Sequence, residues 1–217
     1  MILTGYTFDS ADSIKPFLEE PGLGVTSRCC KELATRLGCH VIAGYPEKLV
    51  GKNNDSNASE DNANLLKRLV GHNSAVLFNS KGLCGNYRKT NLFDADKPWA
   101  LPGDGFATFD LGNPLGRISI GICMDLNPAP SAVWTSIDEG PYEIAEYTLD
   151  QDTNLLVILC AWLDSGKSLD SRWDISTMNY WLMRLYPLWM KLEGRPSKNS
   201  ETIVVMCNRC GIENAPF

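Results

Sequence analysis

Arg117-Ile118-Ser119-Ile120-Gly121-Ile122-Cys123-Met124-Asp125 decides how this chain is read. Ile118, Ile120 and Ile122 alternate with smaller residues, the period of a strand with one face buried. The run closes on a glycine and then a cysteine beside an acidic residue. This pattern predicts a strand that delivers Cys123 onto a sharp turn at its carboxyl end, with Gly121 permitting the tight backbone and the thiol left exposed. A buried structural cysteine is the plainer reading of a lone Cys with apolar neighbours. A second stretch reverses that preference: Tyr87-Arg88-Lys89-Thr90-Asn91-Leu92-Phe93 follows a predicted hairpin and is too polar for a core strand. Taken alone, Lys89 reads as a solvated lysine in a basic turn; its neighbours and its spacing from Cys123 remove that reading.

Together these stretches resemble the carbon–nitrogen hydrolase (nitrilase) superfamily, in which Tyr-Arg-Lys and an aromatic-ended turn precede Gly-hydrophobic-Cys-x-Asp. Thr4-Gly5-Tyr6, Cys160-Ala161-Trp162 and Cys207-Asn208-Arg209-Cys210-Gly211 with Glu213 match further segments in the expected order. The resemblance implies an α/β fold, an α-β-β-α sandwich with first and C-terminal strands missing, over a single partial domain spanning residues 1–217. It assigns Cys123 as nucleophile and Lys89 as catalytic lysine, with Met124, Ala161 and Trp162 facing substrate and Asp125 structural or substrate-facing. Asp125-Leu126-Asn127-Pro128 departs from the Arg-Phe-Pro-Glu of small-molecule amidases. With Asn179-Tyr180-Trp181 and Arg184-Leu185 it resembles the branch of fungal protein N-terminal amidases. Those enzymes turn the side-chain amide of an N-terminal Asn or Gln into a carboxylate and release ammonia, so the implied partners are protein or peptide N-termini bearing those residues. Two other readings stay open, a small-molecule amidase or carbamylase and a catalytically dead binding domain.

A free thiol has a pKa near 8.5 and needs a base or cation to act as a nucleophile at neutral pH. In the family a glutamate takes the thiol proton and later activates water. That glutamate aligns directly before Met1, and the family continues past the segment that ends here at Phe217. The expectation is a partial product, short of its base and a central strand, with little turnover and poor solubility. Asp9, Asp12, Glu19 and Glu20 read as charges of a solvated loop and helix cap and offer no substitute.

Composition excludes other classes. The formal charge is −6 with no basic stripe, which argues against nucleic acid as partner. No run of about 18 apolar residues spans a membrane. The eight cysteines stand in apolar, strand-like settings and read as reduced thiols of a cytoplasmic protein. No cofactor is implied, since thiol, ammonium and carboxylate suffice. No metal is expected either: Cys207 and Cys210 have half-site spacing, but His40, in an apolar strand, and His72, in a polar turn, supply no second pair.

The element order read along the chain is a helix over 24–37 capped by Thr26 or Ser27, then a strand over 39–45 and a polar flexible loop at 51–64. Hairpins follow over 74–87 and 106–122, then a helix over 141–149 and a buried strand over 155–159. A long helix over 175–192, kinked or divided at Pro187, and a strand over 202–207 complete it.

Overall fold

The computed structural model describes residues 1–49, 69–166, 172–190, 201–211 and 213. The polar segment expected as a loop at 51–64 lies outside the described residues. Contacts divide the chain into two compact units, residues 1–105 with 211–217 and residues 106–210. The fold class is the mixed α/β one expected, with one sheet in each unit.

In the first unit, α1 (Ala11–Ile14) starts at a Ser10 cap whose side chain accepts from the Ser13 N–H. Helix α2 (Val25–Leu37) has no interior Gly or Pro and stops at Gly38, which is left-handed at φ 61° as helix C-termini favour. Its N-terminus differs from expectation. Thr26 and Ser27 lie inside the helix, and the acceptor is Glu19, whose carboxylate takes the Thr26 N–H at 2.9 Å and the Thr26 hydroxyl at 2.8 Å. A carboxylate there satisfies an otherwise orphaned N–H and opposes the helix dipole. It also requires glycine at position 24, where a Cβ would stand 1.9 Å from Glu19 Oε2. Glu19 is therefore buried rather than solvated.

Strands β1 (Val41–Lys48), β2 (Gly71–Asn79) and β3 (Gly82–Arg88) form an antiparallel sheet in that order. The β2–β3 hairpin turns on Asn79, whose Oδ1 accepts from the N–H groups of Lys81 and Gly82. Helix α2 lays Cys30 and Ala34 on Tyr45, Val76 and Phe78. Burial, with Cys29 and Glu19 nearby, pushes the Cys30 thiol up to about 11, so this cysteine stays protonated and inert at neutral pH. Both histidines depart from their expected settings. His72 is buried in β2 with Nδ1 3.0 Å from the Leu101 carbonyl, and His40 is exposed just ahead of β1.

Glu47 is the polar centre of this sheet. Its fully buried carboxylate accepts from Ser74 Oγ at 2.7 Å, Asn86 Nδ2 at 2.8 Å and Arg88 Nε at 2.9 Å, with Arg88 Nη2 as a further donor. Burial alone would raise its pKa; the hydrogen bonds from Arg88, Asn86 and Ser74 outweigh burial and hold it below the usual glutamate value. A lowered folded-state pKa contributes stability that is complete above the unfolded glutamate value of about 4.3 and is lost as pH falls through the folded one. Glu47→Gln is expected to cost about 2 kcal/mol, below the range for fully buried pairs because Arg88 is partly exposed. Urea melts of both proteins between pH 7 and pH 3 should show the parent losing its advantage over Glu47→Gln as the pH drops below about 4.

In the second unit, β4 (Ala107–Asp110) and β5 (Arg117–Ile122) form the expected antiparallel hairpin. Strands β6 (Leu155–Cys160) and β7 (Ile203–Asn208) add in parallel, giving the order β4-β5-β6-β7. Joining β5 to β6 in parallel needs a crossover, which α3 (Glu143–Asp150) supplies. The single helix expected over 175–192 is two helices, α4 (Ile175–Arg184) and α5 (Tyr186–Trp189); residues 191–192 are not described. Pro187 has no N–H to continue α4 but fits the first turn of a new helix, so the break falls at Leu185. Leu126, Ile144, Ala145, Leu156, Ile158 and Leu185 make the core. Among the described residues no helix is long and apolar enough to cross a membrane.

Candidate active site

Cys123 follows β5 directly and begins a short 3-10 turn, Cys123–Leu126. Among the described residues it is one of two non-glycine residues with positive φ, at 47°. A bulky residue there costs about 1–3 kcal/mol and persists only when its surroundings hold it. The bend therefore falls on the cysteine itself. Gly121, expected to permit the turn, serves packing instead: a Cβ at this position would meet Ile144 Cδ1 at 2.5 Å, so glycine lets α3 lie close on β5.

Three contacts hold the turn. Asp125 is fully buried and its Oδ2 accepts the Ile122 N–H at 2.8 Å, reaching back across the cysteine. The Asn127 N–H donates to the Met124 carbonyl at 2.9 Å, and Arg184 Nε donates to the Leu126 carbonyl at 2.9 Å. Cys123 and Met124 are half-buried. Asp125 thus grips the backbone that bears the thiol.

Ala161 and Trp162 lie half-buried in the loop after β6. The Asn208 amide stitches this loop to the end of β7: Trp162 N–H donates to Oδ1 at 2.8 Å and Nδ2 donates to the Trp162 carbonyl at 3.2 Å. Trp162 packs with Tyr180 and Trp181 at ring separations of 5.6 and 6.0 Å. Cys123, Trp162 and Trp181 all border the same apolar core.

In the first unit, successive residues at the end of β3 point to opposite faces. Arg88 turns to Glu47, and Lys89 is buried completely. Lys89 Nζ lies 2.5 Å from Asp96 Oδ2 and 3.4 Å from Tyr6 Oη. Asp96 also accepts from Asn73 Nδ2 at 2.9 Å, the Phe93 N–H at 2.9 Å and the Tyr6 hydroxyl at 3.3 Å. A dry ammonium is sustained only by such a saturated counter-ion. The main chain of Lys89 is pinned too, by the Asn73 carbonyl and the Gly103 N–H. Glu213 accepts the Tyr6 and Thr7 N–H groups at 2.6 and 3.2 Å, tying the Thr-Gly-Tyr segment in place.

Asp96 and Asn73 carry no sequence signal as partners of the site, and Arg184 carries only the resemblance of its Arg184-Leu185 stretch. Tyr6 and Glu213 lay in stretches singled out by resemblance, without a role. All eight cysteines are thiols. Among the described residues no group of three His, Cys, Asp or Glu side chains could hold a metal ion.

The carbon–nitrogen hydrolase family model matches residues 1–139. The protein N-terminal amidase of Schizosaccharomyces pombe is 34% identical over 229 residues, covering 99% of this chain and 72% of that protein. That of Saccharomyces cerevisiae is 28% identical over 192 residues, covering 78% and 36%. A crystal structure of an N-terminal amidase with an Asn-Glu-Ala peptide is similar at a TM-score of 0.58 and 25% identity, over 81% of this chain and 42% of that one. The chain thus spans less than half the length of that solved amidase. Matched by the family model over more than half its length, and by a 34% identical relative over nearly all of it, the chain belongs to the carbon–nitrogen hydrolase family.

Proposed function

We propose that this protein is an amidohydrolase acting on the side-chain amide of an N-terminal Asn or Gln. The Cys123 sulfur attacks the amide carbon, the C–N bond breaks and ammonia leaves with a proton, giving a thioester. Water then cleaves the thioester, releasing an N-terminal Asp or Glu and returning a proton to sulfur. Lys89 and the Met124 backbone N–H stabilise the oxyanion, a role worth ~10² to 10³ in rate per donor; the thiol proton and the hydrolytic water each call for a general base. The observation that carries this reading is the cysteine held at φ 47° at the carboxyl end of β5, the geometry of a presented nucleophile. Similarity to the N-terminal amidases narrows the substrate, and eight thiols support a reducing, cytosolic compartment.

The full-length protein is expected to release ammonia from Asn- and Gln-initiated peptides and to spare the same peptides once N-acetylated. Cys123→Ala and Lys89→Met should each lower kcat/KM at least ~10²-fold. Equal rates on free glutamine would favour the small-molecule reading, and full activity of Cys123→Ala would overturn the mechanism.

Asp125 is assigned to shaping the turn that carries the nucleophile rather than to touching substrate. Asp125→Ala orphans the Ile122 N–H, so a loss of about 1–3 kcal/mol in chemical denaturation is expected. The kcat should fall with little change in the preference for a free N-terminus; loss of that preference with stability intact would return Asp125 to a substrate-binding role.

A further inference from the structure

We propose that Arg184, assisted by Tyr180, is the positioning residue that holds the Cys123 turn for attack; this rests on Cys123 being the nucleophile. The Arg184 side chain is 1% exposed, yet among the described residues it is in no ion pair with a carboxylate. Its donors go to main-chain oxygens, Nε to Leu126 at 2.9 Å and Nη2 to Pro141 at 2.5 Å, while Nη1 finds no partner among the described residues. The guanidinium carbon lies 5.3 Å from the ring centroids of both Trp134 and Tyr142.

Burying a cation whose carboxylate influence, that of Glu143, comes from beyond ion-pair distance is costly, and filling this space needs only an apolar side chain. What arginine adds is a planar fork that reaches two acceptors at once. Here those acceptors are the last residue of the Cys123–Leu126 turn and the segment leading into α3. The aromatic rings on the guanidinium fix its plane.

Tyr180 stands one helical turn before Arg184 on α4, so both side chains share a face. Its hydroxyl donates to Asn127 Oδ1 at 2.6 Å. One helix face thus takes hold of two consecutive residues, Leu126 at the end of the turn and Asn127 just beyond it. Asp125 holds the other side through the Ile122 N–H. A left-handed cysteine between these anchors has nowhere to relax, and releasing α4 frees its carboxyl side.

The test uses the full-length protein with Arg184→Met, Arg184→Lys and Tyr180→Phe, assayed on an Asn-initiated peptide. Arg184→Met should lose about 10- to 100-fold in kcat with KM changed by no more than about twofold, as expected when the attacking atom is misplaced after binding. Methylguanidinium in the buffer should restore a substantial part of that kcat, and Arg184→Lys, which keeps charge without the fork, should fall between. Tyr180→Phe should lose about 3- to 10-fold at an unchanged melting temperature. A folded Arg184→Met with parental kcat, or one that methylguanidinium fails to rescue, overturns the proposal. If Arg184→Met does not fold, Tyr180→Phe decides, and parental kcat there overturns it. Ammonia release by Cys123→Ala would overturn the nucleophile reading itself and is scored separately.

Discussion

A cysteine backbone bent into the left-handed region is a conformation that a polypeptide abandons unless its neighbours forbid it. In the second unit much of the local architecture serves that prohibition. The Asp125 carboxylate reaches back to the Ile122 N–H, Gly121 lets α3 press close to β5, and α4 grips the carbonyl of Leu126. Parallel pairing of β5 with β6 and of β6 with β7 places this bend at the strands' carboxyl ends, where α/β sheets generally present their chemistry. The same pairing puts Asn208, at the end of β7, within reach of the loop that carries Trp162.

The first unit meets a different constraint, the burial of charge. Two cationic neighbours, Arg88 and Lys89, leave β3 on opposite faces, and each is met by a carboxylate with its own set of donors. Glu47 and Asp96 are both fully buried, which is tolerable because each accepts several hydrogen bonds. A sheet edge built this way fixes the direction of the Lys89 side chain as firmly as its backbone. Such rigidity suits the oxyanion-stabilising role proposed for Lys89, since a preorganised charge need not reorganise during reaction.

Much of this was legible in the residues. Strand alternation located β4 and β5, the five apolar residues from Leu155 marked a strand covered on both faces, and Pro187 marked a break in the helical pattern. What escaped depends on partners distant in sequence. Glu19 caps α2 from seven residues away, where local capping rules point to Thr26 or Ser27. Asp96 and Asn73 join Lys89 only because β2 and the loop after β3 bring them together. Arg184 lies 58 residues from the carbonyl it holds. Gly121 was expected to turn and instead makes room, since the pattern Gly-Ile-Cys does not reveal which residue takes the bend.

The chain belongs to the carbon–nitrogen hydrolase family, and the chemistry proposed for it is acyl transfer through the Cys123 sulfur. The most direct measurement is intact-protein mass spectrometry of the full-length protein, acid-quenched during turnover of an Asn-initiated peptide, followed by mapping of the modified residue. The account predicts a covalent adduct equal to the peptide less ammonia, attached at Cys123. Ammonia release with no adduct on any thiol, or an adduct on another cysteine, would contradict it.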